Sequence, residues 1–230
     1  MTARYAIYFT LPSDTALGRF GAAMLGYDCA SGADVPQAAL GDLAPDALKA
    51  LTAEPRRYGF HATLVAPFRL GHGGEAALLA AAAAFAKMQP PARLGKLAVT
   101  ALGSFIALCP AQKQQSIAVL ESACVHAFHP FRAPLSAAER ERRLKSKLTP
   151  HQIALMDRWG YPYVLDQYRF HMTLTGPLAE GQRDAMLRHL THAYAPLADA
   201  AHAIDAISVL RQDGSGARFR VLNRLPLAGG

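Results

Sequence analysis

Apolar and polar positions alternate most regularly in two stretches, FHATLVAPF at 60–68 and FHMTLTGPL at 170–178, which repeat one another about half a chain apart. Tyr58 and Tyr168 stand two residues before each phenylalanine, so the shared phrase is Y-x-F-H-x-T-L-x-x-P. In a strand, residues two apart share a face. His61 and Thr63 then lie opposite Phe60, Ala62, Leu64, Ala66 and Phe68, while Arg169, His171, Thr173 and Thr175 lie opposite Phe170, Met172 and Leu174. One face reads as core, and the other sets an imidazole beside a hydroxyl.

Around these phrases the pattern predicts a strand over 4–11, stopped by Pro12, and then a helix to about Leu25 capped by Ser13 or Asp14. Further helices are predicted over 35–51, 75–88, 112–128, 136–148 and 181–194, and another runs to Trp159 after the cap pair Thr149-Pro150. Strands are predicted at 94–101, 102–109 and 168–176. AISVLRQ, DGSG and ARFRVLNRL read as a closing hairpin. This order implies an α+β fold that is bilobed, with pseudo-twofold duplicated antiparallel sheets and flanking helices. No Gly/Ser-rich linker interrupts it, so residues 1–230 are expected to form one domain with an H-x-T motif in each lobe.

Composition narrows the chemistry. With 51% apolar and 18% charged residues the chain is not generally disordered. Its longest apolar run, Ala76 to Ala86, falls well short of the roughly 20 residues that span a bilayer. The N-terminus carries no signal-peptide pattern, so a cytoplasmic protein without a membrane partner is expected. Cys29, Cys109 and Cys124 include no C-x-x-C, which argues against a disulfide framework or a thiolate metal site. The net charge of +7 favours an anionic partner but does not choose among nucleic acid, nucleotide and sugar phosphate.

If the halves pack about a pseudo-twofold axis, two histidines and two threonines face one ligand. That set suffices for acid–base chemistry at a phosphodiester: one imidazole takes a proton, the other gives one, and the hydroxyls bind phosphoryl oxygens. Neither a metal nor another cofactor is required. Arg169, on the His171 face, is a candidate phosphate ligand. Arg4 and Tyr8 share a face of the first strand and border the expected cleft, and Tyr58 and Tyr168 are candidates for stacking on a base or sugar. The basic run Arg140, Arg142, Arg143, Lys145 and Lys147 reads as a solvated helix face more readily than as a polyanion site. His189 and His192 lack the further ligands of a metal site.

The paired H-x-T-L phrases resemble the signature of the two-histidine (2H) phosphoesterase superfamily. More narrowly, RYAIYF, YGFHATL and YRFHMTLTGPL resemble a bacterial family of phosphonate-metabolism proteins. The resemblance implies a groove between two lobes, His61 and His171 as the acid–base pair, and Thr63 and Thr173 as phosphate ligands. It further implies a phosphoric diester hydrolase acting on cyclic or 2′-linked phosphodiesters, with a small phosphorylated ligand as its partner. An RNA-end-processing enzyme and a non-catalytic phosphate-binding protein are the alternatives.

Overall fold

A computed structural model describes residues 3–229. The strands are β1 (Arg4–Phe9), β2 (Tyr27–Asp28), β3 (Ala33–Asp34), β4 (Ala62–Phe68), β5 (Ala92–Leu102), β6 (Phe105–Pro110), β7 (Met172–Thr173), β8 (Ala201–Ile204), β9 (Ala206–Gln212) and β10 (Arg220–Pro226). The helices are α1 (Ala16–Leu25), α2 (Pro45–Leu51), α3 (Ala53–Arg56), α4 (Gly74–Met88), α5 (Gln115–Phe128), α6 (Ala137–Leu144), α7 (Pro150–Trp159) and α8 (Glu180–Tyr194). Eight strands form one sheet in the order β10-β9-β1-β4-β7-β6-β5-β8, with every neighbouring pair antiparallel. The fold is α+β. Strands β4 and β7, which carry the repeated phrases, are neighbours at the sheet centre, and each flank draws strands from both halves of the chain.

One face of the sheet is covered by helices: α4 over β9 and β10, α5 over β4 and β5, and α8 over β5 and β6. Alternation along the strands supplies that layer with Ile7, Phe9, Ala62, Leu64, Met172 and Leu174. They are buried in one cluster with Leu78 of α4, Cys124 and Phe128 of α5 and Leu190 of α8. Each large apolar side chain so enclosed contributes about 1.5–3 kcal/mol. The even positions of β1 face the other way, where Ala6 and Tyr8 pack with Tyr27, Cys29, Leu210 and Phe219 in a second, smaller cluster.

The structure departs from the sequence expectations at several points. Thr15, not Ser13 or Asp14, caps α1 by accepting from the Gly18 amide, and the Ser13 hydroxyl donates to Asp28 instead. The helix predicted over 35–51 is confined to Pro45–Leu51, because Pro36 and Gly41 interrupt the register and Pro45 suits a first helical turn. Strand β8 does not announce itself in its short AHAI sequence. The second phrase is extended only at Met172–Thr173. Beyond it the amides of Leu174 and Thr175 both reach the Ile106 carbonyl, at 2.9 and 3.2 Å. The Thr175 hydroxyl is buried and accepts from the Ile106 amide at 3.1 Å, although Thr175 still lines a pocket with His61 and Thr173.

Candidate functional site

Register builds the centre of the site. Ala62 pairs with Met172 across β4 and β7. One step to either side of that antiparallel pair, His61 lies across from Thr173 and Thr63 across from His171. Directly opposed side chains on one face of such a pair have Cβ atoms about 4.5–5.5 Å apart. Each histidine therefore sits beside the threonine of the other phrase, and all four line one groove of about 710 Å³.

Both rings are held in the same way. His61 Nδ1 donates to the carbonyl of Gly59 at 2.8 Å, and His171 Nδ1 donates to the carbonyl of Arg169, also at 2.8 Å. In each phrase the ring thus reaches back two residues, which fixes the tautomer and leaves Nε2 as the acceptor. The first loop depends on glycine, since Gly59 has φ +74° and a Cβ there would lie 2.5 Å from that of Cys29.

The surroundings of the two rings differ. Tyr8, buried on β1, stacks on His61 with ring centroids 3.9 Å apart and planes inclined by 20°, and the Thr63 hydroxyl lies 3.3 Å from His61 Nε2. Burial lowers the His61 pKa to about 4, against the opposing effect of the Gly59 hydrogen bond and with a further lowering from the charge of His171. Beside His171 stands the tilted ring of Phe105, at 5.7 Å. Its pKa is also lowered, first by burial and then by the charge of Arg169, while the bond to the Arg169 carbonyl raises it.

The groove extends from this centre into a basic end lined by Arg4, Arg57, Arg142 and Arg143. Arg142 and Arg143 come from the last turn of α6, which starts at a capping box formed by Ser136 and Glu139. The helix buries none of its residues, as a solvated face implies, and that face borders the groove. Arg140 does pair with Asp157 on the outside, at 2.8 Å, whereas Arg142 and Arg143 line the groove, Arg142 while remaining exposed. Arg57 and Tyr161 also line the groove. Nothing in their local sequence pattern marks them, because the groove gathers them from separate segments.

Arg4 and Tyr8 line the groove as their shared face implies. The two tyrosines of the repeated phrase have different surroundings. Tyr58 borders the groove and stacks on Phe219 at 5.4 Å, while the Tyr168 hydroxyl donates to the Thr63 carbonyl at 2.9 Å and so braces β4. Tyr168 and Arg169 instead line an adjoining pocket of about 480 Å³ with Phe105, Tyr161, Tyr163, Glu121 and the edge of His171. Glu121 is fully buried there and accepts from the Leu165 amide, at 3.1 Å to the nearer oxygen. Leu165 adopts a left-handed φ of 57°, and burial raises the Glu121 pKa to about 7. His189 lies 3.3 Å from Asp42. Among the described residues no group of three His, Cys, Asp or Glu side chains is arranged to hold a metal ion, and no helix is long and apolar enough to cross a membrane.

An antiparallel α+β sheet with a duplicated histidine–threonine pair at its centre is the class of molecule these features define. The chain belongs to the DUF1045 family, described as proteins of unknown function, whose model matches residues 63–220. That stretch contains Thr63, His171 and Thr173 and begins two residues after His61. The chain is 40% identical over 231 residues to "Ribose 1,5-bisphosphate phosphokinase PhnN" of Janthinobacterium sp. (strain Marseille), covering 98% of this chain and 51% of that protein. It is 37% identical over 178 residues to the protein of the same name from Laribacter hongkongensis (strain HLHK9), covering 77% of this chain and 41% of that protein. The chain thus spans about half the length of these relatives or less. Among solved structures it is similar to TT0787 of Thermus thermophilus, at 15% identity over 98% of both chains with a TM-score of 0.45. It is also similar to E. coli LigT, crystallised with 3′-AMP, at 12% identity over 99% of both chains with a TM-score of 0.41.

Proposed function

We propose that the protein is a phosphodiesterase that hydrolyses a cyclic or 2′-linked phosphodiester of a small ribose phosphate without the help of a metal ion. The observation that carries this reading is the pair of imidazoles on adjacent strands, each tied back through Nδ1 and each flanked by the other phrase's threonine. His61, the ring whose burial holds it neutral, takes a proton from water through Nε2 as the water oxygen bonds to phosphorus. The bond from phosphorus to the departing ribose oxygen breaks, and His171, as imidazolium, gives that oxygen its proton. Thr63 and Thr173 donate to the non-bridging oxygens. The product is a phosphomonoester beside a free hydroxyl. Environments that push two titratable groups to different pKa values set such a division of labour.

The relatives' name supplies ribose phosphates as a chemical class. The phosphokinase activity in that name is not assigned to this stretch, since its 230 residues contain no G-x-x-x-x-G-K-[ST] phosphate loop. The sequence resemblance connects such a substrate with phosphonate breakdown. A second reading, hydrolysis of nucleoside or RNA-end cyclic phosphates, is favoured by the aromatic lining of the pocket beside His171, where Phe105, Tyr161 and Tyr163 offer surfaces for a base.

The test is to follow ring opening by ³¹P NMR in the presence of EDTA, using ribose cyclic phosphates and nucleoside 2′,3′-cyclic phosphates. Turnover that persists under chelation and disappears in His61→Ala is expected. Turnover lost to EDTA and restored by a divalent cation would overturn the metal-free mechanism, and faster opening of the nucleoside substrates would favour the second reading.

A further inference from the structure

The phosphodiester that the two histidines would handle carries one negative charge, and one imidazolium balances it. The same groove contains four guanidinium groups that this chemistry does not use. Among the described residues no carboxylate is ion-paired with Arg4, Arg57, Arg142 or Arg143. Glu139 is the single acidic side chain lining the groove. It is already engaged by Arg69 at 3.0 Å and by the Ser136 amide at 2.9 Å.

Arg143 is the most telling of the four. Its guanidinium lies over the Tyr161 ring, 5.1 Å from the centroid, yet its Nε is buried with no hydrogen-bond partner among the described residues. A buried donor left without an acceptor is costly, and the side chain that carries it lines the groove. Arg4, whose guanidinium lies over the Phe219 ring, 5.6 Å from the centroid, begins β1. It shares a β1 face with Tyr8, which stacks on His61, but four residues of strand, roughly 13 Å, separate the two. Arg4 Nε and one terminal nitrogen are held by Gln212 at 2.8 and 2.6 Å, which fixes the group at the groove's edge. Two arginines from α6, one from β1 and one from the segment before His61 thus converge with surplus positive charge and planar donors, an arrangement suited to the three oxygens of a phosphomonoester.

We propose that this basic end is a second phosphate subsite, and that the substrate is a cyclic phosphodiester whose sugar also bears a terminal phosphomonoester. The proposal rests on the phosphodiesterase reading for the reaction but not for the binding.

The test compares ribose cyclic phosphodiesters with and without a 5-phosphate, in the wild-type protein and in Arg143→Met, which keeps an apolar stem over Tyr161. Arg142→Gln, at an exposed position, serves as a second variant should the first fail to fold. The wild type is expected to favour the 5-phosphorylated substrate in kcat/KM. Each variant is expected to lose roughly 10- to 100-fold on that substrate, the range for one charge-assisted hydrogen bond, and to handle the unphosphorylated one as the wild type does. Equal handling of both substrates by the wild type, or an equal loss on both in the variants, would overturn the subsite. If no ring is opened at all, the hydrolase reading fails on its own, and calorimetry with ribose 5-phosphate still decides the subsite. Binding by the wild type that weakens in the variants sustains it, while absent or unchanged binding overturns it.

Discussion

His61 and His171 come from nearly the same words of sequence and sit in different surroundings. Both rings reach back to the carbonyl two residues earlier. His61, however, lies beneath Tyr8 with the Thr63 hydroxyl 3.3 Å from its Nε2, whereas His171 lies by the tilted ring of Phe105 and opens toward a second pocket. The difference originates outside the phrase, in β1 on one side and in β6 on the other. Duplication supplies two equal acid–base groups, and their neighbours make them unequal. A pair that shared one pKa would not fix which ring holds the proton, so the working arrangement would compete with its mirror image.

The strongest way to break this comparison is to remove the rings one at a time. His61→Ala and His171→Ala should each lower turnover by roughly 10²- to 10⁴-fold, the range for one general acid or base. The double variant should be little worse than either single one, because the two act as a unit. Full turnover in either single variant would mean that the symmetry is only structural. Thr63→Val and Thr173→Val should cost less, with each removing one hydrogen bond to a charged group, worth about 1.5–3 kcal/mol.

The pH profile sharpens the comparison next. Free enzyme needs His61 neutral and His171 protonated. The kcat/KM profile should therefore rise through about 4, set by His61, and fall below the ordinary histidine value of 6.5, set by His171. Tyr8→Leu thins the cover over His61 and should move the acid limb upward while leaving the alkaline limb in place. Movement of both limbs together would show that the rings titrate as one environment.

The smallest expected effect is on stability. His61 has a depressed pKa, so the unfolded chain binds its proton more readily, and the stability this group contributes is present above 6.5 and lost as pH falls toward about 4. Glu121 has a raised pKa and behaves in the opposite sense: its contribution is full below 4.5 and is lost as pH rises through about 7. The two trends oppose one another where they overlap. Glu121→Gln keeps an acceptor for the Leu165 amide and removes only the Glu121 trend, so its melting temperature should gain on the wild type as pH rises from 4.5 to about 7. A constant difference across that range would rule out titration of this carboxyl.

The centre of the site was legible in the sequence because the two-residue period of a strand fixes which side chains share a face. His61, Thr63, His171 and Thr173 follow from that rule and need only Ala62 and Met172 to pair. The end of the second strand was not legible, since the Thr175 hydroxyl is taken up by a hydrogen bond with β6, a partner that periodicity cannot name. The basic end was hidden for a related reason. Arg140, Arg142 and Arg143 look alike on a charged helix, and only the docking of α6 beside the groove separates the one that pairs with Asp157 from the two that face the cavity.

The pairing of β1 with β9 has a consequence for how the molecule is made. Arg4 lies opposite Gln212 and Tyr8 opposite Ser208, so the strand that covers His61 meets its outer neighbour only after some two hundred further residues have been added. At about 5–20 residues per second, the first strand waits roughly ten to forty seconds on the ribosome for that partner. The flank around His171 takes β5 and β6 from the earlier half of the chain, so most of its strands exist before the closing hairpin emerges. A nascent chain stalled before that hairpin would carry both histidines and, through the pairing of β1 with β4, the Tyr8 that stacks on His61, but it would lack Leu210 and Phe219, which pack with Tyr8, so the enclosure around His61 would be the last part of the site to be completed.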